Sequence, residues 1–294
     1  MTGAQELTQE LGGRWAGQYG TAACPVCQPD RRRDQNALTL ADGQAGLLLD
    51  CKKTGCAFVD ILAAAGLRPG AYQPPDPARA AQREAERLAD IAKRARRAGR
   101  LWNESRPIVG TPAQRYLEGR GIRCAPLPKT LRFHPAAYHG AMGVRLPALV
   151  ALVEGGDGFA VHRTYLRPDG SGKADITPDK AMLGRCAGGA VRLADGPGRL
   201  VVAEGVETAL SLLSGLLDGP AAVWAALSTS GLRGLRLPDQ RGNLTVASDG
   251  DDAGRAAARA LAERAHALGW RVTIADPGDG RDFNDVLAGK AVTV

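Results

Sequence analysis

Two acidic motifs in the last third of the chain hold residues able to do chemistry. Leu200-Val-Val-Ala-Glu-Gly-Val-Glu-Thr-Ala-Leu puts Glu204 at the end of one apolar run, and Leu244-Thr-Val-Ala-Ser-Asp-Gly-Asp-Asp-Ala-Gly puts Asp249 and Asp251 at the end of another. A helical pattern follows each run, so three carboxylates collect at the C-terminal ends of parallel strands, a place where a hard divalent cation finds oxygen ligands. Gly250 between the two aspartates lets the backbone turn sharply enough for both to face the same crevice. Two carboxylates about 4 Å apart repel by roughly 4 kcal/mol at an effective dielectric near 20, and bound Mg²⁺ or Mn²⁺ reverses that cost. Mg²⁺ leaves much of its octahedron to water and phosphate oxygens, so the chemistry implied is nucleotidyl or phosphoryl transfer. The competing reading makes Asp249 and Asp251 helix caps, where Asp is favoured. A third acidic cluster, Asp276-Pro-Gly-Asp-Gly-Arg-Asp-Phe-Asn-Asp285, offers Asp282, Asn284 and Asp285 as outer or second-metal ligands.

The elements that must position these acids are legible around them. Leu200 to Ala203 is a short unbroken apolar run, the pattern of a strand buried on both faces, and Thr208 to Leu217 follows as helix. Leu244 to Ala247 and the helix Asp251 to Leu268 repeat the unit, with Ala253, Ala256, Ala257, Ala260, Leu261, Ala265 and Leu268 as the expected apolar stripe. Ala221 to Leu227 and Arg271 to Ala275 supply two more strands, giving an α/β fold with a parallel sheet.

Near the N-terminus, Cys24-Pro-Val-Cys27 and Cys51-Lys-Lys-Thr-Gly-Cys56 flank strand-like Ala37 to Leu40 and Gly46 to Asp50. Two knuckles on a hairpin can close a tetrahedral four-cysteine Zn²⁺ site of the ribbon type. The alternatives are disulfides or four packed thiols. No stretch has the pattern of a secretion signal or a membrane span, so a reducing, cytoplasmic setting without stable disulfides is expected. Cys124 and Cys186 stand alone.

With these residues in view, the C-terminal motifs resemble the Toprim domain shared by bacterial-type DNA primases, topoisomerases, OLD-type nucleases and RecR-type mediators. Glu204, Asp249 and Asp251 match the family's Glu and Asp-x-Asp residue by residue. The resemblance covers about Arg199 to Gly289, and its wording is that of primases from phages, plasmids and integrated elements. It departs from the cellular replicative primase at Thr208 and Asn284, where Asp is usual. The cysteine region resembles the zinc ribbon that opens such primases, with Phe58 to Ala65 as its helix and Cys27 standing where the cellular form often has His.

Charge and the middle of the chain fit a polyanionic partner. The 294 residues carry 38 Lys plus Arg against 31 Asp plus Glu, net +7, which favours nucleic acid. Aromatics make up only 4%, so base stacking cannot be widespread. After a Pro-rich linker, Ala78 to Ser105 has one helical pattern, with Leu88, Ile91, Ala95, Ala98 and Leu101 on one face and Arg83, Arg87, Arg94 and Arg97 on another. That basic face is either solvated or a phosphate-contacting stripe. Pro112 to Arg120 follows as a helix with Thr111 as its cap. From Leu146 the pattern is β-rich, with a hairpin of Leu146 to Glu154 and Phe159 to Leu166. The resemblance implies that His162, Arg163, Lys173 and Lys180 project from this platform toward template or nucleotide phosphates. Gly170-Ser-Gly-Lys173 is no Walker loop, because Arg167 stands where Gly is required.

The expected organisation is a zinc-ribbon domain at 1–66, a Pro-rich linker at 67–78, a helical and β-rich basic region at 79–198 and a Toprim catalytic domain at 199–294. The expected function is a primase-like nucleotidyltransferase in DNA replication, using Zn²⁺ and Mg²⁺ or Mn²⁺, with single-stranded DNA, nucleoside triphosphates and a separate replicative helicase as partners and no membrane. A non-catalytic RecR-like binding module and a Toprim nuclease are the alternatives.

Overall fold

The computed structural model describes residues 3–32, 34–43, 46–67 and 77–289, without the side chains of residues 77, 79 and 80. Most of the expected linker at 67–78 lies outside the described residues, as do the last residues of the C-terminal region. The chain divides into two units, Met1–Asp90 and Ile91–Val294.

In the first unit, helix α1 (Ala4–Glu10) precedes an antiparallel sheet of β1 (Arg14–Trp15), β2 (Tyr19–Ala22), β3 (Leu38–Asp42) and β4 (Leu47–Cys51), paired in chain order, and helix α2 (Phe58–Ala64) closes it. Leu38 and Leu40 alternate inward along β3, meeting Leu7, Leu11, Leu47 and Ile61 in one small core. Helix α1 lies directly on Gly20 of β2, where an added Cβ would run into Thr8. The Asp42 carboxylate accepts the Ala4 N–H at 2.8 Å and ties the helix start to β3. Neither α1 nor the first two strands is long enough to show a period in the sequence.

Helix α3 (Pro77–Glu104) begins with two basic residues already paired: Arg83 meets Asp42 at 3.5 Å and donates to Gln5 Oε1 at 3.3 Å, and Arg87 meets Glu84. These two arginines therefore depart from a phosphate-contacting stripe. Leu88, expected on the apolar face, is exposed, and the buried stretch is Ala98, Leu101 and Trp102. Those three cover one face of the second unit's antiparallel sheet, joining Val150, Val161 and Tyr165. That sheet runs β5 (Arg106–Pro107), β6 (Leu131–His139), β7 (Val144–Val153), β8 (Ala160–Tyr165) and β9 (Lys180–Gly184), with helix α4 (Pro112–Gly119) between β5 and β6. Thr111 precedes α4, but its hydroxyl donates back to the Ile108 carbonyl instead of capping the helix. The other sheet face, with Leu131, Phe133, Leu149 and Ala160, shares a core with the C-terminal layer.

The C-terminal layer is a five-stranded sheet ordered β10 (Val191–Ala194), β12 (Ala222–Ala225), β11 (Arg199–Ala203), β13 (Asn243–Ala247), β14 (Arg271–Ala275). All neighbours are parallel except β10, an antiparallel edge. Its helices are α5 (Val206–Ser211), continued by a π turn at Leu212–Leu216, α6 (Thr229–Gly234), α7 (Asp252–Ala267) and α8 (Phe283–Leu287). Val201 and Ala203 meet α5 and α8, while Val202 and Val246 meet α6 and α7, so Leu200–Ala203 is apolar on both faces. The buried stripe of α7 is Gly254, Ala257, Ala258, Leu261 and Ala265; Ala253 and Leu268, expected there, are exposed. The fold is mixed α/β, with a parallel C-terminal sheet, a β-rich middle and an N-terminal cysteine cluster. Among the described residues no helix is long and apolar enough to cross a membrane.

Candidate functional site

Strand register brings the acids together. Ala203 of β11 pairs with Ala247 of β13, so Glu204 and Asp249 leave neighbouring strands at the same sheet edge. Burial first, then the charges of Asp249 and Asp251, push the Glu204 carboxyl up to about 7, against the Thr229 N–H and Lys180, which favour its ionised form. Burial, then Asp282 and Asp251, push Asp249 up to about 6, with Lys180 opposing. Asp249 Oδ1 is buried and has no hydrogen-bond partner. A buried acceptor left open among like charges suits a cation ligand, so this donor set fits Mg²⁺ or Mn²⁺. Asp251 also caps α7, its Oδ1 accepting the Gly254 N–H at 2.7 Å, so capping and membership of the acidic group coexist.

The loop after β14 is laced onto the Asp-Gly-Asp turn. Gly250 N–H donates to the Arg281 carbonyl at 2.8 Å, and Gly280 N–H donates to the Gly250 carbonyl at 2.8 Å. Arg255 holds the same loop through Asp276 at 2.7 Å and Asp279 at 2.6 Å. Asp282 caps α8 with Oδ1, accepting the N–H groups of Asn284 and Asp285 at 2.8 and 2.9 Å, and its charge bears on Asp249. The other two expected outer ligands are placed differently. Asn284 is buried, its Nδ2 donating to the Arg120 carbonyl at 2.8 Å and Ser211 Oγ at 3.0 Å, so its amide anchors α8. Asp285 turns back to the Asp282 N–H at 3.3 Å as part of a capping box.

The four basic candidates separate. Arg163 is buried, donating to the Tyr138 and Met182 carbonyls at 2.8 and 3.1 Å, so it stitches the sheet and does not project toward phosphates. His162 is also buried and does not project, its imidazole held neutral by burial with a pKa lowered to about 4. Both sit on β8, a strand covered on both faces, which strand alternation in the sequence could not show. Lys173 pairs with Asp179 at 2.8 Å. Lys180 stays partly exposed and pairs with Glu207 at 2.9 Å, close enough to the acids to favour ionisation of Glu204 and Asp249.

Glu207, which the sequence reading passed over, is the one carboxylate on a helix whose six residues are all buried. The sequence signal that could have found it is a lone charge in the otherwise uncharged run Val206 to Leu213, since a carboxylate in such a place has to be partnered once buried. Its Oε1 accepts from Tyr116 Oη at 2.9 Å and its Oε2 from Lys180 Nζ at 2.9 Å.

In the first unit the ligand atoms of Cys24, Cys27, Cys51 and Cys56 all lie within 4.8 Å of one another, with Cys27 and Cys51 Sγ 3.5 Å apart. Among the described residues no carboxylate group is gathered so tightly. Burial acts to raise the Cys51 thiol, but the N–H groups of Thr54, Cys56 and Lys53 outweigh it and bring it down to about 5. A knuckle that favours thiolate, with three more sulfurs converging, fits tetrahedral Zn²⁺. Gln28 Oε1 ties the first knuckle to the hairpin by accepting the N–H groups of Cys24 and Ala37 at 3.2 and 3.0 Å.

The parallel sheet, with Glu204 after β11 and Asp249-Gly-Asp251 after β13, gives the C-terminal region the Toprim fold. Residues 199–291 match the family model described as Toprim domain, and residues 92–193 match one described as Domain of unknown function (DUF7146). No curated protein matches the chain. Among solved structures it is similar to a DNA primase domain from Pseudomonas aeruginosa, at 17% identity over 67% of this chain and 75% of that one, with a TM-score of 0.41. It is also similar to the zinc binding and RNA polymerase domains of Aquifex aeolicus primase, at 15% identity over 98% of this chain and 83% of that one, TM-score 0.41. For the RNA polymerase domain of Mycobacterium tuberculosis primase DnaG the identity is 20% over 67% and 77%, TM-score 0.39.

The raised carboxyls predict a pH-dependent response to metal. Without a cation, Glu204 near 7 and Asp249 near 6 hold protons that the unfolded chain releases near 4, so stability falls as pH rises from about 4 through 7. A divalent cation needs both groups ionised, so stabilisation by Mn²⁺ grows over the same window. Thermal melts with and without Mn²⁺ should show a small increment at pH 5.5 and a larger one at pH 8; equal increments would contradict the assignment.

Proposed function

We propose that this chain is a DNA primase-like nucleotidyltransferase that makes short primers on single-stranded DNA from nucleoside triphosphates, of the kind carried by phages, plasmids and other mobile elements. In this reading residues 1–66 are a zinc ribbon on the template, 67–78 a linker, 79–198 a basic region and 199–294 the catalytic Toprim domain. The observation that carries it is the open, buried Asp249 Oδ1 beside Glu204 and Asp251 at the ends of adjacent parallel strands.

Glu204, Asp249 and Asp251 would hold Mg²⁺ or Mn²⁺, with Asp282 beside Asp249 as the candidate for a second ion. When bound, such a cation polarises the α-phosphate and stabilises the pyrophosphate leaving group. Lys180 supplies a fixed positive charge at the edge of the same cleft for the anionic substrate. Glu204, with its carboxyl held near 7, is suited to exchange a proton with the primer hydroxyl at neutral pH, or to serve as a ligand once ionised.

The test is de novo synthesis on single-stranded DNA with labelled nucleotides and Mg²⁺ or Mn²⁺, comparing wild type with Asp249→Asn. Short products should fall by about a hundredfold or more in the variant while template retention is unchanged. Equal binding by both proteins with no product from either would favour a binding module, and template cleavage dependent on Asp249 would favour a nuclease.

A further inference from the structure

The pair formed by Lys180 and Glu207 poses a physical problem. Glu207 is 4% exposed, and a buried carboxylate is strongly unfavourable unless it is well partnered. Tyr116 from α4 and Lys180 from β9 each give it a hydrogen bond, one on each oxygen. These partners come from the platform layer, whereas Glu207 belongs to the first turn of α5, three residues after Glu204. Lys180 is therefore tied across the layers to the helix that begins just after Glu204. An ammonium has three donors, and among the described residues Lys180 Nζ has Glu207 as its one hydrogen-bond partner.

An unrestrained lysine in this place has an obvious alternative. Glu204 stands three residues before Glu207, and Asp249, which leaves the neighbouring strand at the same sheet edge, has its Oδ1 buried with no hydrogen-bond partner. A flexible four-carbon stem would carry the ammonium into that group, where it would occupy the carboxylates that a divalent cation needs. Glu207 offers the ammonium a better partner, already buried and braced by a tyrosine. The direction of its ionisation agrees: burial acts to raise the Glu207 carboxyl, yet Lys180 outweighs it and brings the group down to about 2.

We propose that Glu207 is a positioning residue that, braced by Tyr116, tethers Lys180 away from Glu204 and Asp249, keeping those carboxylates open for a divalent cation and the ammonium free for a triphosphate oxygen. This rests on the nucleotidyltransferase reading for the identity of the anion, but the competition between ammonium and cation does not require turnover. It is therefore measured as Mn²⁺ affinity of the full chain by calorimetry without nucleotide, with triphosphate affinity in Mn²⁺ as a second readout.

Glu207→Gln keeps the shape and removes the charge that holds Lys180, so Mn²⁺ affinity should fall roughly tenfold, a common size for coupling between sites. Lys180→Met should leave Mn²⁺ affinity at or above the wild-type value and weaken triphosphate binding. The double variant Glu207→Gln, Lys180→Met should recover Mn²⁺ affinity, because the competing ammonium is gone. Unchanged Mn²⁺ binding in Glu207→Gln, or a loss that the double variant fails to recover, overturns the proposal, the latter pointing to a purely structural clamp. Should Glu207→Gln not fold, Tyr116→Phe removes only the brace and should weaken Mn²⁺ binding in the same direction; no change there overturns the proposal equally. A chain that makes no primers but shows this rescue would sink the primase reading and leave the tether standing.

Discussion

Removal of zinc, or the substitution Cys51→Ser, is expected to unfold the cysteine unit while leaving the C-terminal layers intact. Cys24 and Cys51 are buried among Leu38, Leu40 and Ile61, so the sulfurs are part of the unit's small core. Cys51 is the last residue of β4 and Cys27 lies in a turn beyond β2, so a shared ion would cross-link segments joined otherwise by short strands. Structural zinc contributes about 10–16 kcal/mol of apparent binding energy in small ribbon-like domains, as much as the whole stability of an ordinary domain. Four converging thiols, two of them buried, without a cation leave thiolate-favouring N–H groups aimed at sulfur and little else to hold the knuckles. Hydrogen exchange read by mass spectrometry should therefore show protection lost across residues 3–67 on chelation, with protection across β11, β13 and α7 retained. Zinc content below one ion per chain, together with unchanged protection after chelation, would remove the metal from the account.

The second large effect is expected at Gly250. Its φ is not in the left-handed region, so the constraint is space: an added Cβ would run into the Gly278 carbonyl and lie 2.8 Å from the Arg281 carbonyl. Both belong to backbone that cannot swing aside as a side chain can, so the loop holding Asp282 has to lift from the Asp-Gly-Asp turn. Overpacking of this kind costs about 1–3 kcal/mol. The functional loss should be larger in proportion, because the two backbone hydrogen bonds that set Asp282 beside Asp249 go with it. Gly250→Ala should lower primer synthesis by about a hundredfold, since small misplacements of a preorganised site are costly. Gly219→Ala is the matched control: its φ of 80° makes Ala strained, with nothing within 4 Å and no contact with the acids. It should cost about 1 kcal/mol of stability with activity unchanged. If both variants lose activity in parallel with melting temperature, the loop is not what places Asp282.

What could be read without a structure follows from how local the signals are. Leu200–Ala203 is an unbroken apolar run and Leu244–Ala247 is broken only by Thr245, the pattern of strands covered on both faces, so their type and position were legible to within a residue. The cysteine knuckles were legible for the same reason, since each pair is close in sequence and the hairpin between them alternates. The elements that escaped were α1, α6, α8 and the short strands β1, β2, β5 and β9, too brief for a period to emerge, and β6, whose nine residues contain Pro135 and a register shift between His134 and Ala137. Strand β10 was placed with the preceding β-rich segment, and only sheet pairing shows it as the antiparallel edge of the C-terminal layer.

Residue type and spacing thus determined, by themselves, that a carboxylate group stands at the end of parallel strands and that four cysteines stand on paired knuckles. The tertiary structure alone decided which charges meet. Lys180 and Glu207 are 27 residues apart and Tyr116 is 91 from Glu207, so no window of sequence holds the three together. The resemblance has His162 and Arg163 project from the platform, yet two layers close over β8 and bury both. Asn284 looks like an acid's substitute in a metal loop, yet its amide reaches the Arg120 carbonyl and Ser211. Local periodicity reports how a segment is solvated on its two sides; the partner of a buried charge is set by packing between layers, which is a property of the folded chain.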